Sequence, residues 1–171
     1  MPKDEKLDAD IQFQTENLDS FLKWILQRDL KLTENGIKNT QFVGKVQLDS
    51  KQVKSNINSA SLDGTEFSGN VNLSLSNKIV INTNLEIKNL NLDQHVKLSL
   101  DDLKKNILSD ADLDFNLQLQ KFTFNNYLFD QANMVGTLKA GVLSLNEFSG
   151  KGEDNSIFKI NTNIQNLGTE N

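Results

Sequence analysis

Apolar and polar residues alternate along most of this chain, which is the pattern of β-strands that bury only one face. The first alternating stretch runs from Leu7 to Phe13, and the last ends at Ile164. Successive side chains of a strand point to opposite faces of a sheet. The alternation therefore predicts a sheet with one apolar and one polar face.

A short sequence motif recurs along these stretches: an aromatic residue or Met, any residue, Gly, and then alternating apolar residues. It begins at Phe42, Phe67 and Met134, and in a degraded form at Phe148. In the first three copies the large residue, the Gly and the apolar residues share one parity, so we expect them on one face. Glycine in a strand usually marks a bend, a bulge or a close backbone approach. The alternative is that these glycines keep a concave face open for a ligand.

Two segments instead carry apolar residues at helical spacing, at 18–26 and at 100–107. Asn17 suits the N-cap of the first segment and Ser99 that of the second. We expect two short helices, one after the first strand and one midway along the chain.

Turn signals and parity slips divide the remaining chain into strands. Asp63-Gly64 and Asn125-Asn126 are typical of tight turns. The apolar parity slips at Asn89 and again before Phe122, which predicts bulges or strand ends there. Short connections favour antiparallel neighbours.

The predicted fold is therefore mainly β: a single domain over residues 1–171, with a long, twisted antiparallel sheet and two short α-helices. Two short helices are a small cover for so many strands. Either the sheet folds over on itself as a sandwich, or an apolar groove stays partly open.

Composition narrows the classes of function. The formal net charge is −5, and without a basic stripe we expect no nucleic-acid partner. The chain has no Cys, which excludes disulfides and thiolate metal sites. We find no secretory signal and no apolar run long enough for a membrane anchor, and we expect the chain to be a fragment of a larger protein.

No catalytic or metal motif stands out. Asp110, Asp112 and Asp114 invite a calcium interpretation, but an EF-hand loop needs Gly and a bidentate acid where Phe115 and Lys121 stand. Carboxylates on the solvated face of a strand are the simpler interpretation. His95 is the only histidine and has no nucleophile signature nearby. We expect no enzyme activity, cofactor or metal.

The chain resembles AsmA-like proteins in two segments, residues 62–92 and 111–145. The first contains Leu62-Asp-Gly64-Thr-Glu-Phe67-Ser-Gly69, and the second contains Ala111-Asp-Leu113-Asp-Phe115 and Met134-Val-Gly136-Thr-Leu138. The resemblance extends from about residue 7 to 167. It lies in patterns of residue type, and the family supplies no active-site residues to match.

The resemblance implies a bacterial envelope protein, anchored in the inner membrane by its full-length form, with its bulk in the periplasm. It also implies a β-groove that carries lipid and a role in outer-membrane biogenesis or homeostasis. The expected ligand is phospholipid or another lipid. The alternative is an interaction module that joins further β-repeats or envelope proteins through its sheet edges. The candidate groove-lining residues are Phe13, Val46, Leu48, Val71, Leu73, Leu75, Ile81, Leu85, Ile87, Leu113, Phe115, Leu117 and Leu119.

Overall fold

One open sheet makes up nearly all of the described fold. The computed structural model describes residues 6–18, 20, 38–75, 78–91, 93, 111–140 and 142–164. These residues form a nine-stranded sheet whose spatial order is the chain order. The strands are β1 (Leu7–Thr15), β2 (Thr40–Leu48), β3 (Gln52–Leu62), β4 (Thr65–Leu75), β5 (Ile79–Asn91), β6 (Ala111–Phe124), β7 (Tyr127–Lys139), β8 (Val142–Gly152) and β9 (Ile157–Ile164). The predicted mainly β fold is confirmed.

The two predicted helices lie almost entirely outside the described residues, as does His95. The described start of the first one agrees with the sequence. The side-chain Oδ1 of Asn17 accepts a hydrogen bond from the backbone N–H of Ser20 at 2.9 Å, which is the bond an N-cap residue makes.

The expectation of a purely antiparallel sheet is wrong at one pair of strands. Strands β5 and β6 are parallel, with Ile79 opposite Ala111, whereas the other seven neighbouring pairs are antiparallel. Parallel neighbours need a crossover of a dozen or more residues. Residues 92–110 supply that length between the two strands.

Both predicted tight turns are confirmed, and each is tied to a neighbouring segment. Asp63 and Gly64 have φ of 48° and 85°, and Asn125 and Asn126 have φ of 51° and 63°, as a type I′ hairpin turn requires. The carboxylate of Asp93 accepts backbone N–H bonds from both residues of the second turn, at 2.6 and 2.9 Å. The sheet is thereby pinned at the tip of the β6–β7 hairpin.

The two predicted parity slips are paired bulges on the parallel strands. Lys88 pairs with Gln120 and Leu90 pairs with Phe122, so Asn89 and Lys121 lie between the same two rows, with φ of 55° and 54°. One extra residue on each strand shifts both patterns together. Leu90 and Phe122 therefore return to the apolar face.

The fully buried core is small for so many strands. Among the described residues it comprises Ile57, Ala60, Leu119, Phe122 and Ala132. The described strands pack edge to edge in one sheet and form no second sheet layer. Most of the remaining apolar side chains on the sheet are only half-buried.

Candidate functional site

The apolar face of the sheet is continuous across all nine strands. Residues paired across neighbouring strands point to the same face, so the register assigns every paired position to one face or the other. No charged residue occupies a paired position on the apolar face of the described strands. A surface of this kind suits an apolar ligand or an apolar covering layer.

Near one end of the strands this face carries an aliphatic band, in which each of β1 to β8 contributes one large aliphatic residue to a single row. Adjacent members are paired in the register. None of the eight is fully buried, and Leu7 at the edge is 50% exposed. The aliphatic band consists of Leu7, Leu48, Val53, Leu73, Ile81, Leu113, Leu138 and Leu143.

An aromatic cluster fills a different part of the same face, on strands β6 to β9. Phe122 and Phe129 stack with ring centroids 4.4 Å apart, and Phe148 meets Phe158 edge-on at 4.9 Å. Phe122 is 1% exposed. Close aromatic packing of this kind stabilises the fold, although Phe124 and Tyr127 in the next row of the same face stay 52% and 69% exposed.

The register places all thirteen candidate groove positions on the apolar face. Four of them, Leu48, Leu73, Ile81 and Leu113, belong to the aliphatic band. Leu119 is 2% exposed and belongs to the buried core. Candidate residues that pack against that core, such as Leu117, stabilise the sheet and also lie on its apolar face.

The sequence reasoning missed the four residues of the aromatic cluster. Two of them adjoin irregularities: Phe122 follows the parity slip predicted at Lys121, which was not used to place it among the site residues, and Phe129 precedes a register shift at Asp130 that was not predicted. If every second residue of a strand is assigned to the same face without allowing for bulges, residues beyond a bulge are assigned to the wrong face. An abundance of Phe in the last third of the chain is the only sequence signal that points to the cluster.

The glycines of the repeated sequence motif lie where a side chain or backbone of a neighbouring strand comes very close to the glycine Cα. A Cβ on Gly136 would lie 2.7 Å from Cζ of Phe115, and a Cβ on Gly150 would lie 2.7 Å from Cζ of Phe158. Each ring covers the glycine directly opposite it on the next strand. At these two positions the space is already filled, so the structural interpretation of the glycines is the one that fits.

We expect Gly136→Ala to destabilise the sheet by about 1–3 kcal/mol, the usual cost of overpacking. The new methyl group would meet both the Phe115 ring and the backbone oxygen of Ser144. Urea unfolding followed by circular dichroism measures the change. The same substitution in a Phe115→Leu background should cost less. An equal cost in both backgrounds would show that the contact with the Ser144 backbone oxygen, and not the Phe115 ring, determines the penalty.

Ion pairs lie on the opposite, polar face. Lys45 Nζ is 3.0 Å from an Asp8 carboxylate oxygen, and Lys139 Nζ is 2.9 Å from one of Asp114. The Lys45 hydrogen bond, helped by Gln47, holds the pKa of Asp8 below its ordinary value. The bond to Asp114 likewise raises the pKa of Lys139. Charge is thus concentrated on the face away from the candidate groove.

The carboxylates that invited a calcium interpretation belong to this charged face. Asp112 pairs with Lys78 at 2.6 Å and Asp114 with Lys139, so lysines neutralise both, while Asp110 lies outside the described residues. No group of three or more potential metal ligands occurs in the described part of the chain. The interpretation as a solvated strand carboxylate fits Asp114, which is 36% exposed, whereas the Asp112 side chain is only 18% exposed and lies against Lys78.

Two hollows are lined by more polar than apolar residues, although both reach the apolar face: Leu7 and Leu48 of the aliphatic band line the first, and Leu119 and Ala132 line the second. One, of about 220 Å³, lies at the ends of β1 to β3 beside Asp8 and Gln47. The other, of about 390 Å³, lies over β6 to β8 beside Gln118 and Asn133.

Comparisons with protein-family models, curated proteins and solved structures gave no match to this chain. Within the described residues, no helix is long and apolar enough to cross a bilayer. The geometry of the sheet is therefore the main guide to function.

Proposed function

We propose that this chain is a non-enzymatic lipid-binding domain whose apolar sheet face receives acyl chains. The observation that carries the proposal is the aliphatic band: eight adjacent strands each supply a half-buried or exposed aliphatic residue to one row. A sheet made only to fold would bury such a row under a second layer. Among the described residues no such layer is present.

The dimensions of the aliphatic band suit this ligand. Eight strands at about 4.8 Å spacing span roughly 34 Å, and the acyl chains of one leaflet reach about 15 Å, half of a roughly 30 Å hydrocarbon core. Burial of apolar surface at about 25 cal/mol per Å² would supply the affinity. No charged or catalytic group is needed on this face.

The cellular setting that we propose rests on the resemblance to AsmA-like proteins. By that resemblance the domain works in the periplasm as part of a protein anchored in the inner membrane, and it serves outer-membrane lipid homeostasis. A sheet that repeats one amphipathic strand nine times supports this setting, because repetition of one strand type extends an apolar surface without changing its chemistry.

Native mass spectrometry of protein purified without detergent, with lipid extraction of the same sample, tests the proposal. We expect co-purified phospholipid in stoichiometric amount, in addition to the 19.2 kDa chain. A bare chain mass that also takes up no lipid from added phospholipid vesicles would overturn lipid binding. The apolar face would then be a covered core, and the edge-pairing alternative would take its place.

The alternative function, an interaction module that pairs through its sheet edges, has support of its own. Leu7 on β1 is 50% exposed, and Ile160 on β9 is 48% exposed. Both belong to the outermost strands of the described sheet. Exposed apolar edge strands are common sites of strand addition.

A further inference from the structure

The two outermost strands of the described sheet run in opposite directions. Strand direction alternates from β1 to β5, is kept at the parallel β5–β6 pair, and then alternates again to β9. The β9 edge of one copy therefore meets the β1 edge of a second copy as an antiparallel pair. Continuing the sheet in this way requires no change of direction at either edge.

The rows of paired residues also match at the two edges. Followed from strand to strand, the row that starts at Ala9 ends at Thr162, the row from Ile11 ends at Ile160, and the row from Phe13 ends at Phe158. A second copy added without any shift along the strands would thus continue each row. The apolar face of one copy would continue into that of the next, with Ile160 meeting Ile11 and Phe158 meeting Phe13, whereas Ile157 would meet Gln14 on the polar face.

We propose that this chain self-associates head to tail, with β9 of one copy pairing antiparallel with β1 of the next in this register. Ile160 then lies opposite Ile11 of the second copy, and Thr162 lies opposite Ala9 of the second copy. The pairing covers the exposed surface of Ile160 and extends the apolar face from one chain to the next. This self-association does not depend on lipid binding. If the chain also binds lipid, the associated copies would form a longer groove.

Charge selects this pairing over the pairing of like edges. Strand β1 carries Asp8 and Asp10 and no cation, whereas β9 carries Lys159 and no anion. Within its own chain Asp8 already pairs with Lys45, and Lys159 lies 4.0 Å from a carboxylate oxygen of Glu147 on β8, so Asp10 is the edge charge that the proposed contact would pair. In the proposed register Lys159 lies diagonal to Asp10 of the second copy, within reach of a long side chain. Two β1 edges would bring carboxylates together, and two β9 edges would bring lysines together.

The alternation of side chains between the two faces also disfavours the symmetric pairing of two β9 edges. Full antiparallel overlap of two β9 strands would place Ile157 opposite Ile164, two positions on opposite faces of the sheet. Keeping the faces aligned would require a shift that shortens the overlap. The β9–β1 pairing has full overlap and aligned faces at the same time, with residues 157–164 of one copy opposite residues 7–14 of the other.

Sedimentation velocity over a concentration series tests the association. We expect species larger than a dimer that grow with concentration, because a head-to-tail dimer still presents one unpaired β1 edge and one unpaired β9 edge to further copies. Asp10→Lys or Lys159→Glu alone should weaken association about tenfold, and the double substitution should restore it at the unchanged net charge of −5 (+2 −2). Lys54→Glu, on the exposed polar side of β3, is the matched control and should have no effect.

Engineered cross-linking tests the register directly, since the chain has no Cys of its own. Ala9→Cys and Thr162→Cys are placed on directly opposite positions, within disulfide reach. A mixture of the two single variants should yield a covalent dimer with one chain of each kind, and the double variant a ladder of multimers. A monomer at all concentrations, or a dimer insensitive to both charge changes, would overturn the proposal. So would disulfides that form only between identical single variants.

Discussion

Phe122→Ala should lower the free energy of unfolding by about 3–5 kcal/mol, the range for truncating a buried aromatic residue. Phe122 is 1% exposed, stacks on Phe129 at 4.4 Å and meets Phe148 at 6.3 Å. Its removal opens a cavity at the point where β6, β7 and β8 are held together. Urea unfolding followed by circular dichroism would show a lower midpoint and an unchanged slope.

Phe124→Ala provides the matched control. Phe124 lies two residues further along β6, on the same face, but is 52% exposed. Truncating it should change the free energy of unfolding by no more than about 0.5 kcal/mol. Equal losses for the two variants would mean that the aromatic cluster is not the main stabilising element of the described sheet.

Between the bulges, residue parity predicted which positions share the apolar face. Side chains alternate strictly between the two faces along a strand, so Val71 and Leu73, which are two residues apart, lie on the same face. The turns at Asp63-Gly64 and Asn125-Asn126 were also predictable, because few residues adopt positive φ at low cost. Both kinds of inference depend on local geometry, which the sequence determines residue by residue.

The direction of β6 relative to β5 could not be predicted in the same way. Two long connections occur, 16–39 and 92–110, and their amphipathic patterns look alike. The first joins antiparallel neighbours and the second joins parallel ones. The outcome depends on where the chain re-enters the sheet, which is a non-local property that periodicity does not contain.

The division of the apolar face into two regions also escaped prediction. Phe122 and Phe129 become close neighbours only because the bulges near Lys121 and Asp130 bring them back onto the apolar face. That clustering gives β6 to β9 a packed core without a second sheet. The aliphatic band does not have to supply the stability of these strands, and in the proposed function this separation is what would make the band available to acyl chains.

Leu73→Asp should reduce co-purified phospholipid at least tenfold while the strand content and the cooperative unfolding are retained. Leu73 lies in the middle of the aliphatic band, between Val53 and Ile81, and is only half-buried. A carboxylate there stays hydrated in the empty groove but loses its water when an acyl chain covers it, which is costly. Leu73 is a cleaner test position than Leu117, which packs against the buried core.

The control for this variant is Asn72→Asp, which adds the same charge at the adjacent residue on the exposed polar face. Phospholipid retention should match that of the unchanged protein, because the new carboxylate points away from the groove. Native mass spectrometry of both variants, with circular dichroism of the same samples, separates the outcomes. If Leu73→Asp retains full phospholipid, or if both variants lose it equally, the aliphatic band is not where lipid binds. If Leu73→Asp unfolds the sheet, the band is a core that other parts of the protein cover.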